Sequence, residues 1–152
     1  MFKRLIATAA LATLPLTGAA LPATAAAAPI AATTVAPQSR ADDAIAWFAA
    51  RNGSTAYQGY CEKAVENSYG RTGVYASAIA NWNDAVRRGA AHRGDLNPPK
   101  GALVFWDLAA PYGHVGVAKG DGTFWATSVS GAIGTRALPY FNSYLGWAWP
   151  NF

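Results

Sequence analysis

Three side chains carry most of the chemistry this sequence can offer. Cys61 is the single cysteine, and His92 and His114 are the only histidines. A cysteine attacks as its thiolate, and a base within hydrogen-bond reach generates that thiolate. Cys61 lies at the start of a segment, about Tyr60 to Tyr69, in which Cys61, Ala64, Val65 and Tyr69 are spaced three and four apart and Gly70 can act as a left-handed stop. The spacing predicts a helix with the thiol in its first turn, where backbone N–H groups and the helix dipole favour negative charge and lower a thiol pKa. The same N–H groups suit the oxyanion of a tetrahedral intermediate.

The two histidines have different settings. His114 follows Pro111-Tyr112-Gly113 at the head of an apolar run, so a strand would fix its position, and Gly113 and Gly116 leave room beside it. His92, between Ala91 and Arg93, reads as a solvated residue of a polar loop. The residues therefore select Cys61 as nucleophile and His114 as base. One cysteine and two separated histidines do not make a ligand cluster, so neither a metal nor another cofactor is expected.

Helices are expected before these strands. Ala41 to Ala50 reads as one, capped by Ser39, with Asp42 and Asp43 in the first turn and Ile45, Trp47 and Phe48 on its apolar face. Another runs from about Ser77 to Arg88, carrying Ile79, Trp82, Ala85 and Val86, and ends in Arg87, Arg88 and Gly89. After Pro98-Pro99 the period changes. Ala102 to Trp106 reads as a buried strand, His114 to Lys119 and Thr123 to Ser128 flank an Asp-Gly turn as a hairpin, and Tyr144 to Trp149 closes the pattern as a last strand. Helices followed by segregated antiparallel strands give an α+β domain. Trp82, Trp106, Trp125, Trp147 and Trp149 could line a groove, but most belong in the core of so small a domain.

Composition sets the compartment. Met1-Phe2-Lys3-Arg4 precedes an apolar run, and Ala23 to Ala28 offers small-residue cleavage sites, so residues 1–28 read as a secretory signal peptide. Thr13, Pro15, Thr17, Gly18 and Pro22 interrupt that run, which argues against stable membrane insertion. Residues 29–38 are Ala, Thr and Pro with no charge, a flexible leader, and the folded domain is expected over 39–152. The full chain carries 12 Lys and Arg against 8 Asp and Glu, +4; without Lys3 and Arg4 this becomes 10 − 8 = +2. There is no basic stripe with interleaved aromatics, so no nucleic-acid partner is expected. A single cysteine cannot form an internal disulfide, so the fold rests on packing.

Taken together, Tyr60-Cys61-Glu62-Lys63-Ala64-Val65, Lys100 to Trp106, Gly113-His114-Val115-Gly116-Val117 and Gly146-Trp147-Ala148-Trp149-Pro150 resemble the NlpC-type papain-like cell-wall peptidases and the related CHAP amidases, over nearly all of the chain from Asp42. The resemblance implies a papain-like fold and thiol attack on an amide of peptidoglycan stem peptides, often between D-glutamate and a diamino acid. With the signal pattern at residues 1–28, the protein is expected to be secreted, extracellular or associated with the cell wall, and monomeric. Two departures stand out. The family often has Asp-Cys-Ser where this chain has Tyr60-Cys61-Glu62, and the residue that orients the base would fall at Ala126. Thr127 or, one further on, Ser128 is the nearest hydroxyl able to accept an imidazole N–H, and a main-chain carbonyl is a third option. Tyr57 and Gln58, just before the thiol, are candidates to support the oxyanion. A wall-binding module that has lost turnover, or a secreted toxin or acyltransferase using the same dyad, would share these features.

Overall fold

The computed structural model describes the backbone of residues 37–152 and side chains from residue 40 onward. The expected signal peptide, its cleavage sites and most of the leader lie outside the described residues. Among the described residues, three α-helices precede six strands: α1 Pro37–Ala49, α2 Cys61–Ser68, α3 Ala78–Arg87, β1 His92–Arg93, β2 Leu103–Trp106, β3 His114–Ala118, β4 Thr123–Val129, β5 Ala132–Ala137 and β6 Tyr144–Ala148, with a 3-10 turn at Leu138–Tyr140 between the last two. This is the expected α+β architecture. All strand pairings are antiparallel, in one sheet of order β1-β6-β2-β3-β4-β5.

α1 starts earlier than its sequence suggests. Pro37 suits a first helical turn because its missing N–H is not needed there, so Ser39 lies inside the helix rather than capping it, and Pro37 and Gln38 belong to the helix rather than to the leader. Ala41, Ala44 and Phe48 are its fully buried face, while Ile45 and Trp47 are half-buried. α3 begins as expected: the Ser77 side chain accepts the Ala80 N–H at 3.3 Å.

The sheet has two apolar faces. Leu103, Phe105, Val115, Val117, Trp125 and Ala148 meet Phe48, Ala64, Val65 and Trp82 from the helices. Val104, Trp106, Ala118, Phe124, Ala126 and Trp147 form a second cluster, closed by Leu138 and flanked by Phe141 and Tyr144. A strand packed on both sides must read as a continuous apolar run, as Leu103-Val104-Phe105-Trp106 does. Four of the five tryptophans named above are buried; Trp149 is 49% exposed.

Two strands were not apparent from sequence. β1 is only two residues long and pairs across some fifty residues with β6, where His92 stacks on Trp147 at 3.6 Å. His92 is thus exposed but sits on a sheet edge rather than in a loop. β5, Ala-Ile-Gly-Thr-Arg-Ala, has too few large apolar residues to announce a strand.

Candidate functional site

Cys61 is the first residue of α2. Tyr60 occupies the N-cap without a side-chain cap bond. The first helical bond runs from the Ala64 N–H to the Tyr60 carbonyl, so the preceding N–H groups are left for the thiol, water or a ligand. The sulfur lies against the start of β3, its S–H directed to the Gly113 carbonyl at a long 3.9 Å. Gly113 has φ +71°, and a Cβ there would stand 3.0 Å from the Ile79 backbone nitrogen. That nitrogen donates to the Tyr112 carbonyl at 2.8 Å. The start of α3 therefore braces the turn that delivers His114.

Strand alternation sends Val115 and Val117 towards the helices and His114, with Ala118, towards the other face. The imidazole packs edge-on against Phe141, 4.7 Å between centroids, and near Trp106 at 6.0 Å. Its Nε2 lies 3.2 Å from the main-chain oxygen of Thr127. A carbonyl only accepts, so Nε2 carries the proton and Nδ1 is the bare, basic nitrogen. β4 has a register shift between Ala126 and Val129, with Ser128 at φ +62°. The irregularity leaves Thr127 outside the paired register, which frees its carbonyl for the ring.

The hydroxyls of Thr127 and Ser128 make no hydrogen bond to the ring. The Thr127 hydroxyl is buried without a partner, and Ser128 Oγ donates to Gln58 Oε1 at 2.8 Å. Of the oxyanion candidates, Tyr57 packs edge-on against Trp47, and its hydroxyl accepts from Asn67 Nδ2 at 3.3 Å. Gln58 is tied to Ser128, and its amide nitrogen is buried with no partner. Among the described residues, no hydrogen bond joins Cys61 to His114; the thiol reaches the residue before the histidine.

Burial decides the charge state of both groups. The Cys61 thiol is pushed up to about 11, mainly by burial; the Val115 N–H opposes this, the charge of Glu62 adds to it, and the N–H groups of Glu62 and Cys61 oppose it. The helix start thus acts in the direction sequence suggests, but desolvation is larger and the expected lowering is reversed. His114 is pushed down to about 4 by burial, against the raising effect of the Thr127 carbonyl. At neutral pH the pair is thiol and neutral imidazole.

A cleft of about 360 Å³ opens beside the sulfur, lined by residues 59–63, Glu66, the 72–78 segment and Tyr112. Tyr60 and Tyr112, 63% and 65% exposed, stand at its edges. Glu62 lies within it, 5% exposed, with Oε1 accepting from Asn81 Nδ2 at 2.8 Å. Glu66, 1% exposed, accepts the Tyr75 N–H at 2.7 Å. Neither carboxyl was singled out from sequence, although their spacing of four places them on one face of α2. Among the described residues, no group of three or more His, Cys, Asp or Glu is placed to hold a metal.

No family model and no curated protein matches the sequence. Among solved structures, the chain is similar to the crystal structure of the P60 domain of an antigen from M. avium subspecies paratuberculosis, with a TM-score of 0.51 and 16% identity over 74% of this chain and 96% of that one. At that identity the likeness is one of fold, and it gives this chain an α+β architecture matching that of an NlpC/P60-type domain.

Proposed function

We propose that this chain is a secreted cysteine hydrolase that cleaves a peptide or amide bond of peptidoglycan stem peptides through an acyl-enzyme. Cys61 attacks the carbonyl and its proton passes to His114 Nδ1. The tetrahedral oxyanion is held by the uncapped N–H groups at the start of α2, and the imidazolium returns the proton to the leaving amine. Water then releases the acyl group by the same route in reverse. The observation that carries this reading is the pairing of an uncapped helix start bearing the sole cysteine with the imidazole that follows the thiol's acceptor, Gly113, in the chain and is held through Nε2, so that Nδ1 is free to act as base. The P60-like fold supports the substrate class.

Because the resting pair is neutral, proton transfer to His114 must accompany attack, and substrate must bring thiol and ring into contact. That same feature favours a second reading, a wall-binding module without turnover, since no thiol–imidazole bond is preformed. Mature wild type and Cys61→Ala incubated with purified peptidoglycan, followed by mass spectrometry of the soluble fragments, separate the two. Cysteine-dependent fragments establish hydrolysis and name the bond. Equal wall binding by both proteins with no fragments from either would replace the hydrolase with the module.

A further inference from the structure

Gln58 and Ser128 take no direct part in the proposed chemistry, yet they hold each other across 70 residues of sequence: Ser128 Oγ donates to Gln58 Oε1 at 2.8 Å. Each end of that bond sits beside one half of the Cys61–His114 pair. Gln58 lies just before Cys61, in a turn closed by its own N–H to the Thr55 carbonyl at 3.2 Å and by the Tyr60 N–H to the Tyr57 carbonyl at 3.0 Å. Ser128 follows Thr127, whose carbonyl accepts from His114 Nε2 at 3.2 Å.

The planar peptide links Ser128 to the ring. The Thr127 carbonyl and the Ser128 N–Cα bond share one plane, so φ of Ser128 relates the direction of that carbonyl to the Ser128 side chain. Ser128 holds φ +62°, in the left-handed region where a residue with a Cβ is strained. Neither Thr127 nor Ser128 is paired in the β4–β5 register, which shifts between Ala126 and Val129. At the other end of the bond, Gln58 Nε2 is buried with no partner, an unfavourable state for a donor. A strained backbone and an orphaned donor are thus both retained around one hydrogen bond, and strain of this kind persists where function depends on it.

We propose that Gln58 and Ser128 are positioning residues: their hydrogen bond ties the turn that leads into Cys61 to the bulge whose Thr127 carbonyl holds His114, and so keeps the ring oriented with Nδ1 as its basic nitrogen. The effect on turnover rests on the hydrolase reading; the effect on the ring does not. Without the bond, Ser128 can leave the left-handed region, the Thr127–Ser128 peptide plane turns, and Nε2 loses its acceptor. Removing the pair should therefore slow hydrolysis by misplacing the base rather than abolish it.

The Nε2 proton of His114 reports on the pair by NMR of isotope-labelled, reduced protein. Buried and hydrogen-bonded, it should appear in wild type as an imidazole N–H protected from exchange with water. Its exchange should quicken about tenfold or more in Ser128→Gly, where glycine accepts the left-handed φ freely, and in Gln58→Leu, which keeps the volume. The double variant should exchange no faster than either single one, as two residues acting through one bond require. Ser128→Asn, which tolerates the left-handed region and has an amide donor for Gln58, should restore protection. Fragment release at saturating peptidoglycan should fall about tenfold in each single variant, with half-saturation unchanged, and recover in Ser128→Asn. A merely structural role would lower the urea midpoint and leave ring exchange at the wild-type rate. That result, additive losses in the double variant, no recovery in Ser128→Asn, or no protected imidazole N–H in wild type would overturn the proposal. Should Ser128→Gly fail to fold, Gln58→Leu and Ser128→Asn decide. Faster ring exchange in the variants without fragment release by wild type would overturn the hydrolase and leave the positioning pair standing; fragment release by wild type with ring exchange unchanged in the variants would do the opposite.

Discussion

Cys61 and His114 meet at the same strand end, the thiol at the Gly113 carbonyl and the imidazole on the next residue, in different surroundings. The thiol has a polar neighbourhood: free helix N–H groups, two buried carboxyls and an open cleft. The imidazole is enclosed by Phe141 and Trp106 and held through one main-chain carbonyl. Despite this contrast, burial drives both to their uncharged forms. The comparison shows that helix-dipole and hydrogen-bond arguments give the direction of a local influence, whereas exclusion of water sets which form prevails.

The strongest way to break the comparison is to remove one side at a time. Cys61→Ala should abolish fragment release, a loss above ~1000-fold, and His114→Gln should lower it by ~100- to 10,000-fold. If His114→Gln retained wild-type rates in a fragment-release assay, the base would have to be sought elsewhere. The histidine side also makes a stability prediction. A folded-state pKa depressed from 6.5 to about 4 contributes stability that is complete above pH 6.5 and is lost as pH falls towards 4, by about 3 kcal/mol. Glu62, raised to about 8, acts with the opposite slope between pH 4.5 and 8, so the two oppose each other over pH 4.5–6.5. Urea unfolding of wild type and His114→Gln at several pH values isolates the histidine: its advantage over the variant should shrink from pH 7 to pH 4, and a constant difference would contradict a buried neutral imidazole.

Gly113 joins the two sides. Gly113→Ala places a side chain at φ +71° and against Ile79, which should cost about 1–3 kcal/mol, measured as a lower urea midpoint. Hydrolysis should fall further than that destabilisation explains, because both the thiol's acceptor and the base are displaced. On the thiol side, iodoacetamide alkylation of Cys61 should be slow at pH 7 and rise towards pH 11. Glu62→Gln should move that profile to lower pH, since it removes a charge that raises the thiol; a profile centred near neutral pH in wild type would mean that the thiol is not buried as described. The smallest effect concerns Thr127. Thr127→Val removes an orphan hydroxyl and keeps the carbonyl, so stability should rise by about 1 kcal/mol. A large loss of fragment release in that variant would instead assign ring orientation to the hydroxyl.

Local signals carried most of the fold. The spacing of Cys61, Ala64 and Val65, the Ser77 cap and the Asp121-Gly122 turn each act over a few residues and place α2, α3 and the β3–β4 hairpin. β1 was missed because its pairing depends on the distant β6, and β5, although it pairs with the adjoining β4, because its own residues include too few large apolar ones. At the site, the thiol at a helix start and the histidine at a strand start were legible. The group that holds the ring was legible only as one of three options, because a main-chain carbonyl has no residue type; the carbonyl of Thr127 is exposed by a bulge, while the Thr127 and Ser128 hydroxyls make no hydrogen bond to the ring. Burial was illegible for the same reason, since Phe141 reaches His114 from a segment twenty-seven residues away in sequence. Glu62 was noticed only as a departure from the family pattern.

The strand order has a consequence for how the molecule assembles. β6 enters the sheet between β1 and β2, so the last strand in sequence takes an interior place. β2, β3 and β4 can pair as neighbours beforehand, but until β6 arrives one edge of β2 is open along Leu103-Val104-Phe105-Trp106, a short, uncharged, apolar run. Such an edge is a template for pairing with another chain. Closing it depends on long-range contacts, which form slowly. The passage between a newly extended chain and a finished sheet is therefore when this protein is most exposed to aggregation, and the final strand ends that exposure.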